Sequence, residues 1–154
     1  MLVDDSFERF KFMVGYRESS NNYKAENQYG YIGKYQFGKS ALRELGIKCS
    51  KEEFKNNPRL QEKAFESLLS INKYRLRKYM HYVGKTINGI KVTESGLLAS
   101  AHLVGVGNVK KWLRSHGRDV KRDGNGTSLE EYMDLFGGFR TYKIIPKRKI
   151  KFNR

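Results

Sequence analysis

The feature that most constrains the fold is one wide apolar face along residues 60–83. Apolar side chains recur there every three or four residues, at positions 60, 64, 65, 68, 71, 76, 79, 80 and 83. This spacing predicts a helix whose one side is buried along its whole length. Asn57-Pro58 before the segment and Gly84 after it are typical of a helix start and a helix stop. We therefore predict a long central helix over residues 60–83.

Shorter elements are predicted around this helix from caps and turn residues. Asp5 and Glu8 have capping-box spacing before a helix over residues 6–18, and Asn88-Gly89 between β-branched residues is typical of a tight hairpin. Residues 19–37 lack helical spacing, which indicates a loop or a second short hairpin. The other predicted helices cover residues 39–45, a segment capped by Ser50 and Glu53, a helix from Thr93 through Leu103, residues 108–115, and a last helix capped by Thr127 or Ser128 that ends at Gly137-Gly138. The sequence thus predicts a mainly α, helical bundle with one or two small β-hairpins.

A chain of 154 residues is long enough to bury one core without a metal or a disulfide. We predict a folded domain over residues 1–138 and a basic tail over residues 139–154. The tail holds seven Lys or Arg and no acidic residue, which is typical of a partly disordered segment. Cys49 is the only cysteine and is expected to be a buried thiol. Neither it nor residues 119–127, which lack the terminal glutamate of a calcium loop, indicates a metal site.

The net charge of +15 narrows the classes of partner. A field of this sign attracts polyanions, which include nucleic acid, anionic membrane surfaces and the acidic polymers of a bacterial wall. No apolar run approaches the length that spans a bilayer, and no leader is visible at the N-terminus. We therefore expect a soluble protein made in the cytoplasm, without membrane insertion. Work outside the cytoplasm would require delivery by cell lysis, a secretion machine or a phage particle.

Glu18 is the side chain for which a chemical role is easiest to argue. It follows Val14 by one helical turn, so its carboxylate is expected at the end of an apolar helix face. Burial and the negative end of the helix dipole both oppose ionisation, as a general acid requires. The Tyr, Asn and Gly residues in 19–37 suit a sugar polymer, because they offer flat apolar faces, amide groups and close backbone approach. One or two of four tyrosines are expected to stack on sugars: Tyr23, Tyr29, Tyr31 and Tyr35.

Two blocks of this sequence resemble motifs of the lysozyme-like lytic transglycosylases. The register of the family's first motif is kept by Glu18, Ser19, Ala25, Gly30, Gly33 and Gln36. The second block, AHLVGVGNVKKWL at residues 101–113, is similar to the Ala-Tyr-Asn-Ala-Gly-x-Gly-x-Val segment that lines the family's cleft. His102 and Leu103 depart from it, since they stand where the family has Tyr and Asn. The resemblance covers about residues 7–113.

The resemblance implies an α+β lysozyme-like fold and a catalytic domain over residues 1–138. It implies cleavage of peptidoglycan between N-acetylmuramic acid and N-acetylglucosamine, with no cofactor. Glu18 would protonate the glycosidic oxygen and then act as base while the muramoyl 6-hydroxyl closes an anhydro ring. The implied substrate-binding residues are Ser19, Gly33, Tyr35, Gln36, His102 and Gly105. The implied partners are glycan strands of the cell wall, in the periplasm or outside the cell. An immunity or delivery protein is a further partner compatible with the resemblance.

Other functions fit parts of the same sequence. A hydrolytic muramidase would usually add a second carboxylate, and the absence of any acid in residues 27–43 favours the single-glutamate route. The acids that folding could bring to the cleft are Glu26, Glu94, Asp119 and Asp123. A non-catalytic wall-binding protein is a further interpretation. Nucleic acid is the less favoured partner, because the chain has no zinc finger, RNA-binding signature or long basic helix.

Overall fold

A computed structural model describes residues 5–152 of the chain. It is 51% helix and 6% strand with one small antiparallel two-strand hairpin, so the mainly α prediction is confirmed. The α-helices are α1 (Ser6–Ser19), α2 (Lys39–Glu44), α3 (Lys51–Lys55), α4 (Pro58–Arg75), α5 (Glu94–Val104), α6 (Val106–Arg114) and α7 (Leu129–Leu135). A 3₁₀ helix (Arg77–Tyr82) follows α4. The hairpin pairs β1 (Thr86–Ile87) with β2 (Ile90–Lys91), in a register that places Thr86 opposite Lys91.

Most helix starts follow the local sequence. Ser50 and Ser128 each form a complete capping box, and the Thr93 hydroxyl accepts the backbone N–H of Gly96. The capping box predicted at α1 is wrong. Asp5 has φ −101° and ψ 11° instead of the extended cap conformation, so its carboxylate pairs with the Arg9 guanidinium and not with the helix backbone.

The predicted single helix over residues 60–83 is wrong in its second half. α4 ends at Arg75, and the chain tightens into the 3₁₀ helix, where the N–H of Tyr79 donates to the carbonyl of Leu76 at 2.8 Å. Leu76 is fully buried, whereas Val83, which was placed on the apolar face, is 42% exposed. The error has a simple cause. Apolar residues three apart fit a 3₁₀ turn as well as an α-helix, so the spacing alone could not separate them.

The most completely buried helix is α5, not α4. Every residue of α5 from Ser95 to Ala101 is buried, and the helix contacts α4, α6 and α7. Small residues permit this close packing: a Cβ on Gly96 would lie 2.7 Å from the carbonyl oxygen of Met133 in α7. Buried hydroxyls tie the two helices together, since Ser95 donates to the carbonyl of Phe136 and Ser100 to that of Leu129. α7 is thereby fixed beside the end of α1.

The described part of the basic tail, residues 139–152, has no helix or strand but packs against the helices. Ile144 is buried, and the Thr141 hydroxyl donates to Glu94 at 2.7 Å. Composition predicts partial disorder here, whereas the structure shows an ordered, packed segment. The reason is that apolar residues, which can pack against the helices, alternate with the cations. Asn153 and Arg154 lie outside the described residues, as do residues 1–4 of the predicted domain.

The expectation of a buried Cys49 is wrong, since the thiol lies in the exposed connection between α2 and α3, beside exposed Lys48 and Ser50. Within residues 5–152, no helix is both long enough and apolar enough to cross a bilayer.

Candidate active site

Glu18 lies in the last turn of α1, and the end of this helix is tied to the loop that follows. Ser20 takes a left-handed conformation (φ 56°), which turns the chain away from the helix axis. The Ser19 hydroxyl donates to the carbonyl of Lys34 at 2.6 Å and accepts the N–H of Asn22 at 3.0 Å. The C-terminal turn of α1 and the loop of residues 20–37 therefore form one hydrogen-bonded unit, which fixes the backbone of Glu18.

The Glu18 carboxyl is half-buried and is bonded to one phenol. The hydroxyl of Tyr132 in α7 donates to Glu18 Oε2 at 2.5 Å. Burial raises the pKa of Glu18 above its usual value and is the largest influence. The positive field at His102 and the Tyr132 hydrogen bond work against this rise, while the negative charge of Asp123 adds to it. The net effect is a carboxyl that keeps its proton to higher pH than an exposed glutamate.

This carboxyl opens into a groove of about 570 Å³, within the usual range for ligand sites. We call it the Glu18 groove. Its walls are formed by residues 36–41, 101–106 and 121–125, together with Glu18, Asn27, Tyr31, Glu44, Leu68, Asn72 and Arg75. The lining mixes apolar side chains with amides, hydroxyls and both signs of charge. Such a surface suits a polar polymer better than a purely apolar ligand.

The turn of residues 33–36 shapes one wall. Gly33 has φ +86°, and a Cβ there would lie 2.4 Å from Oε1 of the fully buried Gln61, so only glycine fits. That same Gln61 oxygen accepts the backbone N–H of Lys34 at 2.9 Å. Gln36 lines the groove with a left-handed backbone (φ 58°), which is uncommon for a residue with a side chain. Its amide nitrogen donates to the carbonyl of Gly33 at 3.0 Å.

A second part of the lining comes from the end of α5 and lies against the 33–36 turn. His102 lines the groove, and its Nε2 donates to the carbonyl of Tyr35 at 2.7 Å, which fixes the ring orientation. The ring also packs edge-on against Phe65 at 5.1 Å between centroids. Gly105, with φ +87°, separates α5 from α6 and lines the groove. The structure thus brings together Glu18, Gln36, His102 and Gly105.

Three other residues predicted to bind substrate are placed elsewhere. Tyr35 is fully buried, stacks on Phe65 at 3.8 Å and donates its hydroxyl to Glu62, so it does not face the Glu18 groove. The Ser19 hydroxyl is used within the loop, and Gly33 serves the turn. Each supports the groove wall without lining it. Of the four tyrosines, Tyr31 lines the groove and is 46% exposed.

The four acids considered as second carboxylates are also separated. Asp123 lines the Glu18 groove, and its Oδ1 accepts the N–H groups of Asn125 and Thr127 at 3.0 and 2.8 Å. Glu26 pairs with Lys51 and Lys55, which lowers its pKa to about 2. Glu94 pairs with Lys73 at 2.9 Å. Neither these two nor Asp119 lines the groove.

Tyr132, which contacts Glu18 but does not line the groove, is the residue of this site that sequence reasoning missed. It is 114 residues from Glu18, and no motif marks it. The residue is almost fully buried, and burial together with the neighbouring Glu18 raises the pKa of its phenol well above the usual value. Tyr132 therefore stays protonated and acts as a donor to Glu18. The only signal in the sequence was its place in a helix with a well-marked cap.

A second partly buried carboxylate, Glu62, lies on the other side of the 33–36 turn with three hydrogen-bond donors around it. Glu62 accepts the hydroxyls of Tyr23 and Tyr35 at 2.7 and 2.6 Å, and the ammonium of Lys34 at 2.8 Å. We call these four residues the Glu62 cluster. Burial opposes ionisation of Glu62, but the three donors outweigh it and lower its pKa. Burial and the neighbouring Glu62 carboxylate together raise the pKa of Tyr23 to about 12.

Within residues 5–152, no group of three or more His, Cys, Asp or Glu side chains is arranged to hold a metal ion. Comparison with known proteins does not assign a family: no family model, no curated protein and no solved structure matches the chain.

Proposed function

We propose that this protein cleaves the glycan strands of peptidoglycan, with Glu18 as the general acid. One observation carries the proposal most directly: a half-buried glutamate with a raised pKa opens into a polar groove large enough for sugar residues. A general acid works best when its pKa approaches the pH at which the enzyme operates. The two blocks that resemble lytic transglycosylases both contribute lining residues to this same groove, which supports the proposal.

The surrounding residues would have distinct roles in this proposal. Glu18 would protonate the oxygen that joins N-acetylmuramic acid to N-acetylglucosamine. Tyr132 and His102 would stabilise the carboxylate that remains, because a donor and a positive field both favour the charged form. Gln36, which lines the groove beside His102, would contact the sugar. Its strained backbone is consistent with a functional position.

The groove supports two outcomes for the second half of the reaction. In the transglycosylase route, which we favour, the Glu18 carboxylate takes the proton of the muramoyl 6-hydroxyl, and that oxygen closes an anhydro ring at C1. In the muramidase route, a second carboxylate assists the attack of water. Asp123 is the residue that keeps this second route open, because it lines the same groove. Its Oδ1 already accepts two backbone N–H groups, which fits a loop-stabilising role better than that of a free base.

The test is digestion of purified peptidoglycan followed by mass spectrometry of the fragments. Anhydro ends are expected, and reducing ends that carry oxygen from isotope-labelled water would assign the muramidase route instead. Glu18→Gln should abolish either product. Asp123→Asn should leave anhydro products intact, with Asp119→Asn as the matched control because Asp119 is on the same loop but outside the groove. Intact strands with the wild-type protein would reject both routes in favour of a non-catalytic wall-binding protein.

A further inference from the structure

The basic tail carries a cluster of cations beside the Glu18 groove. Arg148, Lys149 and Lys151 are exposed, and among residues 5–152 no carboxylate pairs with them. We call these three residues the basic strip. They border a shallow depression of about 250 Å³ with Ile71 and Ile150 as its apolar part. Lys151 donates to the carbonyl of Arg43 at 3.5 Å, which leaves its charge without a carboxylate partner in the described part of the chain. Cations that no carboxylate neutralises, over an apolar floor, form a surface suited to an anionic ligand.

The strip has a defined place because its backbone is bonded to the helices on both sides. The N–H of Lys147 donates to the carbonyl of Ser70 in α4 at 3.1 Å. The N–H of Phe152 donates to the carbonyl of Leu45, just after α2, at 2.7 Å. Ile150 is half-buried between these two anchors. The cations are therefore presented from a fixed segment, which lowers the entropic cost of binding.

The depression continues from the end of the Glu18 groove. Glu44 and Arg75 line both, and they pair with each other at 2.5 Å, so they add little net charge at the border. A polymer that leaves the groove past this ion pair meets the basic strip next. The basic strip is thus positioned to bind a later part of the same polymer that occupies the groove.

We propose that the basic strip binds the carboxylates on the peptide side chains of the glycan strand that lies in the Glu18 groove. The identity of this ligand rests on the function proposed above, while the location of the strip does not. Continuity with the groove favours the strand over nucleic acid. Three cations are also fewer than the six to ten phosphate contacts typical of a DNA-binding surface.

Binding is measured with the Glu18→Gln protein so that turnover does not interfere. The strip variant adds Arg148→Glu and Lys149→Glu. The control adds Lys24→Glu and Lys91→Glu, which change the net charge equally at exposed positions outside the groove and the depression. The ligands are purified glycan strands with intact peptides and the same strands after an amidase has removed the peptides.

At low salt, the strip variant should bind peptide-bearing strands about tenfold more weakly than its parent, which corresponds to a few surface charge contacts. The control and the peptide-free strands should show little change. Arg148→Gln with Lys149→Gln should give a smaller loss of the same kind, because this pair removes attraction without adding repulsion. Equal losses in the strip and control variants would overturn the proposal, since net charge alone would explain them. A strip variant that loses binding to double-stranded DNA but not to strands would also overturn it.

The two proposals fail in different ways. If the wild-type protein cuts no strand but the strip variant still binds peptide-bearing strands more weakly than its parent, the cleavage proposal fails. The proposal that the basic strip binds the peptides is then retained. If anhydro products form but strip and control variants bind alike, the strip fails and the cleavage proposal stands.

Discussion

Glu18 and Glu62 lie on either side of the turn formed by residues 33–36, and their environments shift their pKa values in opposite directions. Glu18 has one hydrogen-bond donor, the Tyr132 hydroxyl, and its pKa is raised. Glu62 has three donors, one of them the Lys34 ammonium, and its pKa is lowered. Burial opposes ionisation at both carboxylates. Burial is the largest influence on Glu18, whereas the number and charge of the donors around Glu62 outweigh its burial.

The two environments indicate which carboxylate is suited to transfer a proton. The Glu62 carboxylate accepts hydrogen bonds from Tyr23, Lys34 and Tyr35. Its negative charge therefore stabilises the folded structure. It also borders an apolar depression of about 790 Å³, larger than the Glu18 groove. Size and apolar lining alone would favour that depression as the binding site. The pKa values favour the Glu18 groove instead. Glu62 accepts three hydrogen bonds and stays ionised, so it has no proton to donate.

The largest expected effect is loss of cleavage in Glu18→Gln. A glutamine cannot donate the proton, so the rate of strand cleavage should fall by about 10²- to 10⁴-fold. Glutamine retains an acceptor for Tyr132, so thermal unfolding should occur at a similar or higher temperature. The rate is measured by release of soluble fragments from purified peptidoglycan. A variant that still cleaves at the wild-type rate would exclude Glu18 as the acid.

Glu18 should also make the stability of the wild-type protein depend on pH, in a direction that Glu18→Gln removes. Because the folded-state pKa of Glu18 is raised, its stabilising contribution is full below the unfolded-state pKa and is lost as pH rises through the folded-state value. Glu18→Gln removes this loss. Denaturant unfolding at acidic and neutral pH should therefore show a smaller decline for the variant than for the wild type.

Glu62→Leu should give the largest loss of stability, about 3 kcal/mol. The fully buried Tyr35 would lose the acceptor of its hydroxyl, and the Lys34 ammonium would lose its closest carboxylate. Glu66→Leu is the matched control on the same helix, because Glu66 is half-exposed and forms only a 3.7 Å pair with Lys11. It should cost less than about 0.5 kcal/mol. Equal losses in urea unfolding would show that the Glu62 cluster is not an anchor.

The lowered pKa of Glu62 gives this loss a pH dependence. Its contribution is present above the unfolded-state pKa and disappears as pH falls through the folded-state value. The difference in unfolding free energy between wild type and Glu62→Leu should therefore shrink on acidification. This is the opposite direction to that expected for Glu18.

Gly33→Ala should destabilise the turn between the two carboxylates by about 2–3 kcal/mol. The left-handed backbone strains any side chain, and the added methyl would meet the buried Gln61 oxygen. Gly84→Ala separates the two causes, since Gly84 has φ +95° and nothing within 4 Å of the added Cβ. It should cost about 1 kcal/mol from strain alone. Equal values would mean that contact with Gln61 contributes nothing.

Sequence reasoning located the elements that carry the groove but not every side chain in it. Glu18 was placed at the end of a helix, and His102 and Gly105 near the end of another, because caps and apolar spacing are local signals. Tyr35 was misplaced although its surroundings held a clue. Polar Lys34 and Gln36 alternate with Tyr35 and Phe37, as in an extended segment that buries every second residue.

Tyr132 could not have been predicted in the same way. Its contact with Glu18 depends on how closely α7 approaches α5, which is set by Gly96 and the buried hydroxyls of Ser95 and Ser100. Those residues act through three-dimensional packing, and their spacing in the sequence does not indicate which face of α7 turns toward α1. The Glu62 cluster is similar, since the three partners of Glu62 are 27 to 39 residues away from it in the sequence.

Tyr132→Phe should have the smallest effect and tests the donor count directly. The change removes the hydroxyl that favours the Glu18 carboxylate, so the pKa of Glu18 should rise further. The alkaline limb of the pH profile of cleavage, where the acid loses its proton, should then move to higher pH. Packing against Phe136 should be retained, and the cost in stability should be about 1 kcal/mol.

Tyr23→Phe is the control, because it removes one hydroxyl from Glu62 and leaves the Glu18 groove unchanged. It should cost a similar amount of stability without moving the pH profile. Titration of the Glu18 carboxyl by NMR gives the same information in the absence of turnover, since the signal reports the pKa itself. If Tyr132→Phe and Tyr23→Phe leave that titration equally unchanged, the donors do not set the difference between the two carboxylates. Burial and the fields of His102 and Asp123 would then have to account for the Glu18 pKa.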